Sequence, residues 1–436
     1  MTDKVHSELG WALVLCFLVL TAAEFLIRGP VRFVFADNFN DFLSPYIQTR
    51  AWIKGLDPYS PQNLAELWPA AERFDFLSKD LADGSLVKRR GIPTAYPPTS
   101  FVLLTTVAWL PWRVACPVWL SISLLAFATM VLSLASLTDF AWSERRTYLF
   151  LGLALALAPF HTGLAAGSIV IVVVGACSAA VWAANRQHDV MAGVLIGVAV
   201  GLKPQIGLPF LLYYLLRRRW PILIPATVTV ILLASVAIGY MEVNHALWVD
   251  NYQSDNRVLF APGSLGDFTE SNPIRFGLIN LQVLTYAITS DRSRANVLAV
   301  AVTGVLALFW LIVFRRSCGR NELLTLGALT VLTLLPVYHR FYDASLLIFP
   351  LTWGLEAWSS QLKMFARGTV LLILIFLVPG GTILQQLEHM NFGVSWQHSW
   401  WWTQFVMTHE IWALLFLSTT LLLAMRFSQA YIRKAT

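Results

Sequence analysis

The chain has 436 residues, of which 57% are hydrophobic and 13% charged, with a formal net charge of +6. That is far more apolar material than one soluble core can bury, and the alternating pattern of an outer-membrane barrel is absent, so an all-α polytopic membrane protein is expected. The basic residues sit in short clusters between apolar runs. They are therefore read as cytoplasmic loops and not as a nucleic-acid surface. The cysteines, Cys16, Cys116, Cys177 and Cys318, stand apart in separate apolar segments and suggest neither a disulfide framework nor a zinc site.

In chain order, an apolar run from Leu9 to Ile27 is read as a retained membrane anchor, with Lys4 on its inner side. A polar region over 29–98 follows, too long for a turn and assigned to the outer face. Within it Ser44 and Pro45 suggest the start of a helix that runs to Lys54 and stops at Gly55. Residues 99–111 are bracketed by Pro97, Pro98 and Pro111 and are expected to lie on the interface, held by Trp109 and Trp112. Residues 114–138 form the next span. Segments 147–163 and 167–184 rise and descend, with Arg145, Arg146 and Arg186 inside. The run 190–216 is split by Lys203-Pro204 into two short tilted helices, because proline cannot continue helical hydrogen bonding and lysine needs water or an anion there.

A span at 221–240 leads to a second external loop, 241–276. A further interfacial helix is expected at 276–289, then spans at 296–314, 322–337, 342–358, 368–384 and 405–425. The external turn VYHRFYD covers 337–343. A last external loop, 385–404, is rich in tryptophan, with Trp396 and Trp400 to Trp402. Clusters at Arg217 to Arg219, Arg315, Arg316 and Arg320, Lys363 and Arg367, and Arg433 and Lys434 stay inside. The expectation is one integral membrane domain over 1–436 with about twelve transmembrane helices and both termini cytoplasmic.

So oriented, Asp41, Asp57, Tyr59, Tyr96, Lys203, Arg275, His339, Arg340 and Asp343 all fall at or near external helix ends. A carboxylate among cations suits a lipid-borne phosphate and a polar acceptor. Metal-ligand spacing and a glycine-rich phosphate loop are both missing from the sequence, so no metal or other cofactor is expected. Each residue also has a plainer reading. Asp41 is a solvated loop acid, Lys203 snorkels to the interface, His339 and Arg340 anchor headgroups, Asp343 neutralises Arg340, and the tryptophans form an interfacial belt.

The run from Asp41-Phe42 through Tyr46 to Gly55-Leu56-Asp57-Pro58-Tyr59 resembles the first external loop of glycosyltransferase family 87, within the GT-C superfamily. Tyr96-Pro97-Pro98, a glycine-rich span leading to Lys203-Pro204 and a basic turn ending in RRRW, and a late His339 followed by Tyr342 match in the same order. The chain departs from the family at Gly167-Ser168, where many relatives carry Gly-Gln, and at Ser271-Asn272-Pro273 in place of Asn-Gln-Ser.

The resemblance implies a GT-C-like bundle at the outer face of a bacterial inner membrane. It implies an enzyme that moves a sugar, mannose or another hexose or pentose, from a polyprenyl-phosphate donor to an envelope lipid or glycan, with inversion. By it Asp41, or else Asp37, is the general base. Lys203 and His339 meet the donor phosphate, and Arg340, Tyr96, Asp57, Tyr59 and Arg275 complete the substrate-binding set. Membrane lipids are the remaining partners, and nucleic acid is not one. A flippase for a lipid-linked saccharide and a non-catalytic partner in an envelope complex are the alternatives.

Overall fold

The computed structural model describes residues 2–35, 41–68, 75–79, 86–90, 96–317, 321–389 and 399–435; side chains of 2–7, 75–79, 86–90, 317, 389 and 429–435 are not described. Asp37, Cys318, Arg320 and Trp396 lie outside these residues, as do parts of the 29–98 and 385–404 loops.

In chain order the helices are α1 (Thr2–Leu26), α2 (Arg32–Phe35), α3 (Leu43–Ile53), α4 (Pro61–Leu67), α5 (Thr99–Ala108), α6 (Trp112–Ala135), α7 (Arg145–Ala156), α8 (Ala158–Ala165), α9 (Val170–Asn185) and α10 (Asp189–Leu202). They continue as α11 (Pro204–Leu216), α12 (Trp220–Val243), α13 (Trp248–Leu259), α14 (Leu281–Thr289), α15 (Arg292–Ser317), α16 (Glu322–Thr333), α17 (Ile348–Glu356), α18 (Lys363–Ile373), α19 (Gly380–His389) and α20 (His409–Ala435). A short antiparallel ribbon, β1 (Asp75–Lys79) with β2 (Leu86–Arg90), pairs Ser78 with Val87 and departs from the all-α expectation.

Among the described residues, five helices are long and apolar enough to cross a membrane, or up to seven if each of two bent pairs is one span. The expected figure of about twelve is not reached. α5, α9, α10, α11 and α16 are apolar but short, 10–17 residues each. At 1.5 Å per residue each covers about 15–26 Å, less than a hydrocarbon core of about 30 Å. Arg145–Ala156 and Ala158–Ala165 meet at 44° where one span was expected.

The chain divides into two compact units. One comprises residues 1–31, 131–163 and 276–436; the other comprises 32–130 and 164–275. In the first, α1 packs along α7, α14 along α15, and α16 against α17 and α20. Gly152 lets α7 approach Phe17, and Trp11 meets Tyr148 edge-on at 5.4 Å.

In the second unit α9 and α10 pack together across a connection of only Arg186 to His188, so they run antiparallel. α10 and α12 run side by side in the same direction, because Gly193 faces Ile222, Gly197 faces Ala226 and Thr229, and Gly201 faces Leu233. Small residues four apart let two helices approach closely without a hydrophobic drive, as lipid requires. The N-terminal end of α9, the C-terminal end of α10 and the C-terminal half of α12 therefore lie on one side of this unit.

Candidate functional site

Asp41 precedes α3, which starts at Leu43 rather than Pro45. Phe42 occupies its N-cap with no side-chain cap, so Ser44 is not the cap. Gly55, at φ +70°, takes the left-handed conformation just past the helix and ends it, as expected. The Asp41 N–H donates to the Ala166 carbonyl (2.6 Å), which ties the acid to the turn entering α9. The next carbonyl in that turn, Gly167 O, accepts from Trp119 Nε1 at 2.8 Å. Phe42 stacks on the Trp119 ring at 4.4 Å and 4°. Asp41 is 9% exposed, so the reading of a solvated loop acid does not describe it.

Lys203 is the single residue between α10 and α11. Its backbone leaves the helical region at φ −149°, ψ 87° because Pro204 has no N–H to continue the ladder. The Lys-Pro break falls where the sequence put it. Lys203 is 9% exposed and sits at the same end of the α9–α10 hairpin as the Ala166–Ser168 turn. Two residues earlier, Gly201 O accepts from Thr99 Oγ1 at 2.6 Å, which fastens the start of α5 to the Lys203 end of α10.

Asp57, Tyr59 and Tyr96 come together at the far end of α3. Tyr59 OH donates to Tyr96 O (2.8 Å), Tyr59 N–H to Asp57 Oδ1 (2.9 Å), and Asn251 Nδ2 to Asp57 Oδ2 (2.7 Å). Burial first, then Tyr252, Asp255 and Asp57, holds the Tyr59 phenol well above the usual tyrosine range. Trp52 Nε1 donates to Ala237 O at 3.1 Å, so this end of α3 lies beside α12. The eleven residues of α3 place about 16 Å between Asp41 at one end and the Tyr59 group at the other. Arg275, half-buried, follows a loop organised by Asp267, whose carboxylate accepts from Gly263 N (2.8 Å) and Thr269 N (3.1 Å).

In the other unit His339 is fully buried. Its Nδ1 lies 3.0 Å from Asp343 Oδ2, which also accepts the Arg340 N–H at 3.2 Å. Asp343 thus holds the imidazole in addition to the Arg340 N–H, whereas the plainer sequence reading concerned Arg340 alone. The i, i+4 spacing of His339 and Asp343 was the signal for that pairing. Arg340 itself is half-buried. Among the described residues, no group of three His, Cys, Asp or Glu side chains is arranged to hold a metal ion.

The model of the family described as glycosyltransferase family 87 matches residues 94–336, more than half of the chain. The chain belongs to that family. No curated protein and no solved structure matches it. In this family 87 member the matched stretch runs from the segment before α5 to just past α16. It therefore contains Tyr96, Lys203 and Arg275, while Asp41 precedes it and His339 follows it.

Proposed function

We propose that this family 87 glycosyltransferase moves a sugar, mannose or another hexose or pentose, from a polyprenyl-phosphate donor to an envelope lipid or glycan at the outer face of a bacterial inner membrane. Family membership over residues 94–336 is the observation that carries this reading. An acceptor oxygen attacks the anomeric carbon as the bond to the phosphate oxygen breaks, and the configuration inverts. The acceptor's proton passes to Asp41, and the bonding pair leaves on the polyprenyl phosphate. Lys203, at the same end of its unit as Asp41, balances the charge that grows on that leaving group. Tyr96 and Arg275 contact substrate, and Asp57 and Tyr59 act by fixing the Tyr96 backbone.

The burial of Asp41 and its tie to the Ala166 carbonyl support the role of base, because a held carboxylate keeps its position as the proton arrives. Asp41→Asn is expected to lower donor turnover about 100- to 10,000-fold. Expression and melting temperature should stay unchanged. Radiolabelled polyprenyl-phosphate sugar incubated with purified protein checks this, and near-normal turnover in the variant removes Asp41 from the mechanism. Donor that crosses a vesicle bilayer with its glycosidic bond intact would identify a flippase instead.

A further inference from the structure

Among the described residues of the first unit, several buried side-chain polar atoms meet no hydrogen-bond partner, and two of them, Asn280 Oδ1 and His339 Nε2, belong to one backbone pairing. The segment entering α14 runs antiparallel to the segment leaving α16: Ile279 N–H donates to His339 O (3.0 Å), Leu281 N–H to Leu335 O (2.9 Å), and Leu278 bridges Arg340. Side-chain amides brace this pairing, and their polarity is forced. The Pro336 carbonyl only accepts, so the Gln282 atom 2.7 Å from it is Nε2. That turns Gln282 Oε1 toward Asn280, and the atom meeting it at 2.7 Å must be Nδ2. Asn280 Oδ1 is left as an acceptor turned away from the brace.

Asn280 is 3% exposed, and Oδ1 meets no hydrogen-bond partner among the described residues. His339 Nε2, in a side chain with no exposure, is open in the same sense while Nδ1 is committed to Asp343. Buried polar atoms that have given up water without a replacement are rare, and they mark places where something else supplies the bond. A carbonyl oxygen repels phosphate oxygens, and a lipid tail has no donor to offer. A sugar hydroxyl donates.

We propose that Asn280 reads the sugar of the lipid-linked donor, Oδ1 accepting a hydrogen bond from one of its hydroxyls. The identity of the ligand rests on the transferase reading above; the polarity of the open atom does not. Binding to the full-length protein in nanodiscs tests it, with undecaprenyl phosphate, its mannosyl ester and its glucosyl ester as probes. Asn280→Ala should weaken at least one sugar ester about tenfold and leave sugar-free undecaprenyl phosphate within twofold. Equal weakening of all three probes, or of none, overturns the assignment.

A second measurement needs no variant. Across esters in which each sugar hydroxyl in turn is replaced by hydrogen, one position should cost the wild-type protein about tenfold, and a flat series also overturns the proposal. Wild-type protein that distinguishes the sugars yet transfers none sinks the transferase reading and leaves Asn280 standing. Transfer that persists while Asn280→Ala matches wild type on every probe sinks Asn280 alone.

Discussion

At the residue scale, the polar atoms of Asp57 and Tyr59 are already engaged. One Asp57 oxygen takes the Tyr59 N–H, the other takes Asn251, and the phenol is committed to the Tyr96 carbonyl. They appear in the sequence as Gly-Leu-Asp-Pro-Tyr, a polar motif in an outer loop, and that pattern alone does not separate a side chain facing substrate from one that braces the loop. Titration of Tyr59 offers a direct check. Its folded pKa is raised, so the folded state holds this proton more firmly than the unfolded one. Its stabilising contribution is complete below the unfolded tyrosine value of about 10 and is lost as pH rises beyond it. Wild-type protein should lose about 1.4 kcal/mol per pH unit more than Tyr59→Phe over the first unit or so above about pH 10. Chemical denaturation of both proteins at pH 8 to 11 measures the difference, and parallel curves would show that the phenol ionises in place.

At the element scale, the row Gly193, Gly197 and Gly201 sets how α10 meets α12, and so where the Lys203 end of α10 stands. A Cβ on Gly197 would lie 2.6 Å from Thr229 Cβ and 2.8 Å from the Ala226 carbonyl oxygen. Gly239, on α12, is the natural control, since a Cβ there meets nothing within 4 Å. Gly197→Leu should destabilise by about 1–3 kcal/mol or more through overpacking. Gly239→Ala should be neutral or stabilise by up to about 1 kcal/mol through helix propensity. Melting temperatures of the two variants in one detergent decide the matter, and equal melting would remove the close approach.

The same elements mark what was legible in the sequence. The break at Lys203 and the stop at Gly55 follow from local backbone chemistry, the missing N–H of Pro204 and the left-handed conformation of Gly55, and both were readable. The start of α3 was not. Its first residue is fixed by Phe42 packing on Trp119, a ring more than seventy positions away, and Ser44 makes no cap bond. The orientation of Asn280 was hidden for a similar reason: Asn280-Leu281-Gln282 reads as the edge of an amphipathic helix until the Pro336 carbonyl polarises both amides.

At the scale of the whole molecule, composition identified a membrane chain, while five of the described helices, or up to seven if each bent pair is one span, are long and apolar enough to cross. Apolar length alone does not distinguish a spanning helix from a short one covered by its neighbours. α12 is unambiguous. Its 24 residues extend about 36 Å, more than a hydrocarbon core requires. Ile224, Val228, Ile231, Leu232 and Val236 form one apolar stripe along it, each 47–60% exposed. In water such a stripe is a liability, whereas against lipid chains it costs nothing, so it suits a face turned to the bilayer. The basic turn Arg217 to Arg219 stands at one end of this helix and His245 just past the other. Positive charge is retained on the cytoplasmic side during insertion, so His245, and with it the end of α3 that packs beside α12, is expected outside. In a variant lacking its four native cysteines, a cysteine placed at Arg218 should react with a membrane-impermeant maleimide only after the cells are opened. One placed at His245 should react in intact cells whose outer membrane has been made permeable. Labelling of both from the same side would mean that α12 does not cross. The reverse pattern would put the Lys203 end of α10 in the cytoplasm and remove the outer-face reaction with it.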